Sequence, residues 1–152
     1  MAINKEPKFV YDSDSGHAVC TLTDGKHYFI GEAFCHTDDK DMMSEKTGCT
    51  IALMRAEIKY YTHIRDNEIL PALKTLKHLY ACISHGKHFN KLNHENVLIR
   101  RQIRQLEFDL TTVRQMINDE KKSLKTLIDE KDKFYKRVRA NRSVQEDSVG
   151  QN

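Results

Sequence analysis

The sequence predicts an α+β fold: a small N-terminal antiparallel β-meander followed by two long antiparallel α-helices, a helical hairpin, that assembles into an oligomer. Three observations carry this expectation. Residues 1–36 hold short aromatic and β-branched runs separated by turn residues. From Ile51 to Ile83 apolar residues recur every three to five positions, the period of a helix. From Ile99 to Val138 the apolar steps alternate four and three, which is a sustained heptad.

The first strand is Lys8-Phe9-Val10-Tyr11, closed by the turn Asp12-Ser13-Asp14-Ser15-Gly16. The second is residues 17–23 and the third residues 26–35, joined through Asp24-Gly25. That dipeptide predicts a tight hairpin in which both central residues take positive φ. Such a meander has one apolar face and cannot stand alone, so helices must cover it. Residues 36–47 read as a polar connection. The first helix is expected over residues 48–86, with a kink at Pro71, which lacks a backbone donor, and a stop at Gly86. The second helix is expected over 94–139, with Asn93 as its N-cap. Its seam is Ile99, Ile103, Leu106, Leu110, Val113, Ile117, Glu120, Leu124, Leu127, Lys131, Phe134 and Val138, with Glu120 and Lys131 as polar interruptions. It outruns the first helix, so its C-terminal part needs another partner, and a second copy of the chain is the simplest one.

The chain has 152 residues, 31% of them charged and 39% hydrophobic. That suits a single domain over residues 1–142, followed by a disordered tail over 143–152. No apolar run approaches the ~20 residues of a membrane span. The polar N-terminus is unlike a secretory signal, so a cytoplasmic location is expected. The four cysteines have no C-x-x-C spacing and read as free thiols. The net charge of +3 is unevenly spread. The basic excess lies on the helical section 41–142, which an anionic ligand should therefore meet.

The residues point to binding rather than turnover. No Gly-rich loop follows a strand, which excludes a P-loop or dinucleotide fold. No Cys, His and Asp stand in an activating order, so no enzyme, catalytic residue or cofactor is expected. His85, His88 and His94, with Cys35-His36, match no zinc spacing, and no metal is expected. The basic residues Arg55 and Lys59 on the first helix and Arg100 and Arg104 on the second are candidate phosphate ligands, because guanidinium grips phosphate through two bonds. Phe89 is a ring on which a base can stack, and Asn96 an amide that can read an adenine edge. The rival reading is a solvated coiled-coil face on a structural or regulatory protein that binds a partner helix. Membrane binding is not expected, and nucleic acid is an improbable partner for a chain with no DNA-binding module.

One stretch is distinctive. Gly31-Glu32-Ala33-Phe34-Cys35-His36 is followed, after an acidic gap, by Gly48-Cys49-Thr50-Ile51-Ala52-Leu53-Met54-Arg55-Ala56-Glu57-Ile58-Lys59. Over about 30 residues it resembles the small phage proteins of the first anti-Thoeris sponge family. Thr37 stands where that pattern has proline, and the gap lacks its acidic-aromatic run. The resemblance implies a non-enzymatic immune-evasion protein of the host-cell cytoplasm. Such a protein sequesters a cyclic nucleotide signal, chiefly glycocyclic ADP-ribose and in some members cyclic oligonucleotides, without cleaving it. It further implies dimers that assemble into hexamers. The implied contacts are an aromatic on the adenine, an asparagine on its edge and arginines on the phosphates; Phe89, Asn96, Arg100 and Arg104 are matched to these parts by residue type and position alone.

Overall fold

A computed structural model of the chain describes residues 6–35, 44–85 and 93–149. Three strands, β1 (Lys8–Asp12), β2 (His17–Thr23) and β3 (Tyr28–Ala33), form an antiparallel sheet in the order β1-β2-β3. Helix α1 (Glu45–His63) follows, then a π-helical segment (Ile64–Ile69), α2 (Leu70–Ser84) and α3 (Asn93–Val149). The expected meander and helices are therefore present, with the first long helix divided in two. The contacts group the chain into two compact units, one of Met1–Lys59 with Glu120–Asn152, the other of Tyr60–Asp119.

The sheet shows the alternation a one-sided sheet requires. On β2 Ala18, Cys20 and Leu22 are buried, and on β3 Phe29 and Ala33 are buried. They form a core with Ile51, Ala52 and Ala56 of α1. Burying each of Leu22, Phe29 and Ile51 contributes about 1.5–3 kcal/mol. Small residues set the spacing. A Cβ on Gly31 would lie 1.9 Å from the Ala52 carbonyl oxygen and 2.5 Å from the Ala56 nitrogen. Strand β3 thus touches α1 backbone to backbone, which only glycine permits. One turn earlier, a Cβ on Gly48 would meet the Ala18 Cβ at 3.2 Å.

The β2–β3 turn differs from the expected hairpin. Only Gly25 takes a positive φ, at 85°, and Asp24 does not. The loop is longer because Thr23 pairs with Tyr28. The Asp24 carboxylate accepts from the backbone N–H of Lys26 at 2.8 Å and of His27 at 2.6 Å, closing the turn through a side chain instead of a primed backbone turn. Those bonds hold the Asp24 carboxyl well below the usual carboxylate range. Asp12 plays the same part before Gly16, whose φ is 66°.

Pro71 falls in the first turn of α2, where its missing donor is tolerated. The π-helical segment absorbs the interruption. The Leu70 N–H donates to the Arg65 carbonyl, five residues back, while the backbone at His63, Ile69 and Leu70 stays right-handed helical. Asn67 reaches back to the His63 carbonyl at 3.3 Å, satisfying an acceptor in the widened turn.

The heptad seam is buried or half-buried from Ile99 through Lys131. At Phe134 it slips: Phe134 is 55% exposed and the neighbouring Tyr135 8%. An untwisted α-helix lags a strict heptad by ~20° per repeat, so five repeats displace the seam by about one residue. About ten full turns separate Ile99 from Tyr135, which returns Tyr135 to the same face. The backbone remains helical to Val149, well inside the segment expected to be disordered. The C-terminal part of α3 also finds a neighbour within its own unit, correcting the expectation that it must look elsewhere. Lys131 and Tyr135 line a cleft with Tyr11, Thr47 and Gly48. Among the described residues no helix is long and apolar enough to cross a membrane.

The two glycines separate contact from conformation. Gly31→Ala forces a methyl group into α1 backbone and should cost about 2–3 kcal/mol in urea unfolding. Gly25→Ala meets nothing within 4 Å and should cost only its left-handed strain, about 1–2 kcal/mol.

Candidate ligand-binding site

Within the second unit α2 and the first part of α3 run antiparallel. Lys77 pairs with Glu107 at 2.7 Å, and Arg100 donates through Nε to the Tyr80 hydroxyl at 2.6 Å. The Arg100 guanidinium carbon also stands 5.2 Å from the centre of the Tyr80 ring. This contact uses Nε and leaves the two terminal amino groups of Arg100 for another acceptor. Arg104, one turn on, is exposed and makes no hydrogen bond or ion pair among the described residues.

One turn before Arg100 lies Asn96, only 3% exposed, with neither Nδ2 nor Oδ1 hydrogen-bonded. It sits one step N-terminal of Ile99 on the heptad seam, where an apolar side chain would be the ordinary occupant. Leaving a buried amide unpaired costs about 1–3 kcal/mol. The amide offers one donor edge and one acceptor edge, the complement of the N6/N7 edge of adenine.

The six residues picked out by sequence are thus distributed. Asn96, Arg100 and Arg104 follow one another at one-turn intervals on α3, while Phe89 lies outside the described residues. Arg55 and Lys59 belong to the other unit, where they serve the sheet. Arg55 donates to the Glu32 carbonyl, and Lys59 donates to the Ile30 carbonyl at 2.6 Å. Both acceptors lie on β3, an edge strand of the sheet. Of the histidines considered for a metal, His85 is exposed, and the side chains of His36, His88 and His94 lie outside the described residues.

Sequence reasoning missed two features of the first unit, although both involve the polar interruptions of the seam. Lys131 and Tyr135 line a small cleft of about 30 Å³ together with Tyr11, Phe34, Thr47 and Gly48. Phe34 in turn stacks on His17, ring centres 4.1 Å apart and planes 8° from parallel. The other interruption, Glu120, acts on Glu57 of α1. Burial raises the Glu57 carboxyl above its ordinary value of 4.5, and the negative charge of Glu120 raises it further. Cys20 responds likewise: burial, then Glu57 and Cys49, push its thiol up to about 11. None of the four cysteines forms a disulfide.

Comparison with protein-family models, with curated proteins and with solved structures yields no match. The site is accordingly read from its own residues.

The raised Glu57 carboxyl has a definite sign in stability. The folded chain holds its proton to higher pH than the unfolded chain does, so stability falls as pH rises from 4.5 through the folded value. Glu57→Gln should raise the neutral-pH melting temperature and flatten the decline above pH 4.5. Parallel thermal scans from pH 4 to 8 measure both.

Proposed function

We propose that this chain is a non-enzymatic binding protein that sequesters a cyclic nucleotide second messenger, of the glycocyclic ADP-ribose type or a cyclic oligonucleotide, at the start of α3. It acts as a cytoplasmic homo-oligomer, in the manner of the anti-Thoeris sponges whose motif it resembles. The observation that carries this reading is the unpaired, buried amide of Asn96 on the same helix turns as two arginines. An adenine would satisfy both edges of the amide, and the free ends of Arg100 together with Arg104 would hold phosphate oxygens. Binding without cleavage fits the groups present. Among the described residues the Glu107 carboxylate is already held by Lys77, and the Tyr80 hydroxyl is engaged by Arg100. Sequestration needs affinity and copy number, which such a set of donors and one amide can supply.

A second reading, a coiled-coil protein that binds a partner helix, is favoured by a different observation. Val97, Leu98 and Phe108 of α3 are apolar and exposed. A partner helix would cover them.

Calorimetry with glycocyclic ADP-ribose and a panel of cyclic di- and trinucleotides tests the first reading. Asn96→Leu should keep or raise the melting temperature, because it removes an unpaired amide, while weakening binding at least about tenfold. Arg100→Ala and Arg104→Ala should weaken binding by a similar factor with the fold intact. Heating the complex should return the ligand with its mass unchanged. No binding to any nucleotide of the panel overturns the reading and leaves the partner-helix protein in its place.

A further inference from the structure

The two edges of the sheet are treated differently. On β3 the outward carbonyls of Ile30 and Glu32 are occupied by Lys59 and Arg55. Charged side chains laid along an edge are a common way to stop a further strand from adding there. Strand β1 has no such cover. Among the described residues its outer edge carries no backbone partner; the bond from Gly16 to Asp12 belongs to the β1–β2 turn. Its middle residue, Val10, is 68% exposed, and Phe9 is exposed beside it.

The sequence of β1 is self-complementary about Val10. Lys8, Val10 and Asp12 point to the outer face of the sheet, and Phe9 and Tyr11 to the face that carries α1, as their partners Val19 and Cys20 require. If two copies of β1 run antiparallel with Val10 opposite Val10, Lys8 of each copy stands opposite Asp12 of the other. Phe9 then stands opposite Tyr11. The register places opposite charges at both ends, an aromatic pair on the inner face at both ends, and two valines at the centre. Each of these pairs stabilises a cross-strand contact. Asp12 keeps its charge for this role, since its hydrogen bond from Ser15 lowers its carboxyl below the ordinary value of 3.8. A one-residue slip would lose all three matches and turn the side chains to opposite faces.

We propose that β1 is a dimerisation edge, occupied by β1 of a second copy of this chain, so that two three-stranded sheets join into one of six strands in the order β3-β2-β1-β1-β2-β3. The contact is isologous and closes on itself, because the sealed β3 edges end the sheet on both sides. The inference gives a surface to the assembly and does not depend on which nucleotide is bound. A chain that binds nothing yet dimerises this way contradicts only the nucleotide reading.

Sedimentation velocity and oxidative cross-linking of the full chain test the proposal. The wild type should sediment as a dimer or a multiple of one. Lys8→Glu, which turns two attractive pairs into two repulsive ones on an exposed position, should weaken the dimer about tenfold without changing the circular dichroism spectrum. In a Cys82→Ser background, which removes the exposed native thiol, Val10→Cys should cross-link to a covalent dimer. Tyr28→Cys, on the sealed edge strand, should not. A monomeric wild type at tens of micromolar overturns the proposal. So does an oligomer indifferent to Lys8→Glu in which Val10→Cys fails to cross-link, which would put the contact between copies elsewhere.

Discussion

The first unit depends on the contact between the backbone of β3 at Gly31 and that of α1 at Ala52 and Ala56. No side chain separates the two elements, so the helix lies as close to the strand as backbone atoms allow. That distance decides what else can meet. It brings Gly48 against Ala18, and it sets the Arg55 and Lys59 side chains within reach of the β3 carbonyls. It also leaves room for no more than small residues along the strip, which is why Ala18, Cys20, Ala33, Ala52 and Ala56 make up so much of the core. A core of such modest volume draws its strength from close fit rather than from large apolar area. The tolerance for change along that strip is correspondingly narrow.

Much of this fold was legible from periodicity. The expected β2 span, residues 17–23, matches the observed strand to the residue. What escaped were features in which a side chain replaces the backbone's usual solution. The Asp-Gly dipeptide suggests a primed turn, but a carboxylate that accepts two backbone N–H groups makes a longer loop equally closed. The kink expected at Pro71 became a π-helical segment ahead of it, because widening the helix by one residue is another way to seat a proline. The heptad read correctly until the accumulated lag of a straight helix moved the seam from Phe134 to Tyr135, a drift that a pattern of fours and threes does not record.

The site was legible only in part, for a similar reason. Residue type identifies Arg55 and Lys59 as phosphate ligands as readily as Arg100 and Arg104, since neither pair is easily buried alone. The difference lies in what each can reach. Main-chain carbonyls of β3 are available to the first pair, whereas Arg100 finds a phenol and Arg104 finds nothing among the described residues. Asn96 was chosen for its chemistry, but its burial without a partner is a property of the fold that no spacing in the sequence announces.

The π-helical segment at Ile64–Ile69 has a consequence for how this chain can vary. A π turn is an α-helix that has accepted one residue more than its ladder can count. Removing one residue between Ile64 and Ile69 would let the ladder close in α register once Pro71 is replaced as well, while adding one elsewhere in the helix would have to create a second bulge. Loss of one residue together with the proline is therefore less disruptive here than a length change within α1 or α2. Related sequences that differ by a single residue in this helix should carry the difference at these positions, and an alignment that places the gap anywhere else would misassign every side chain between the gap and the bulge.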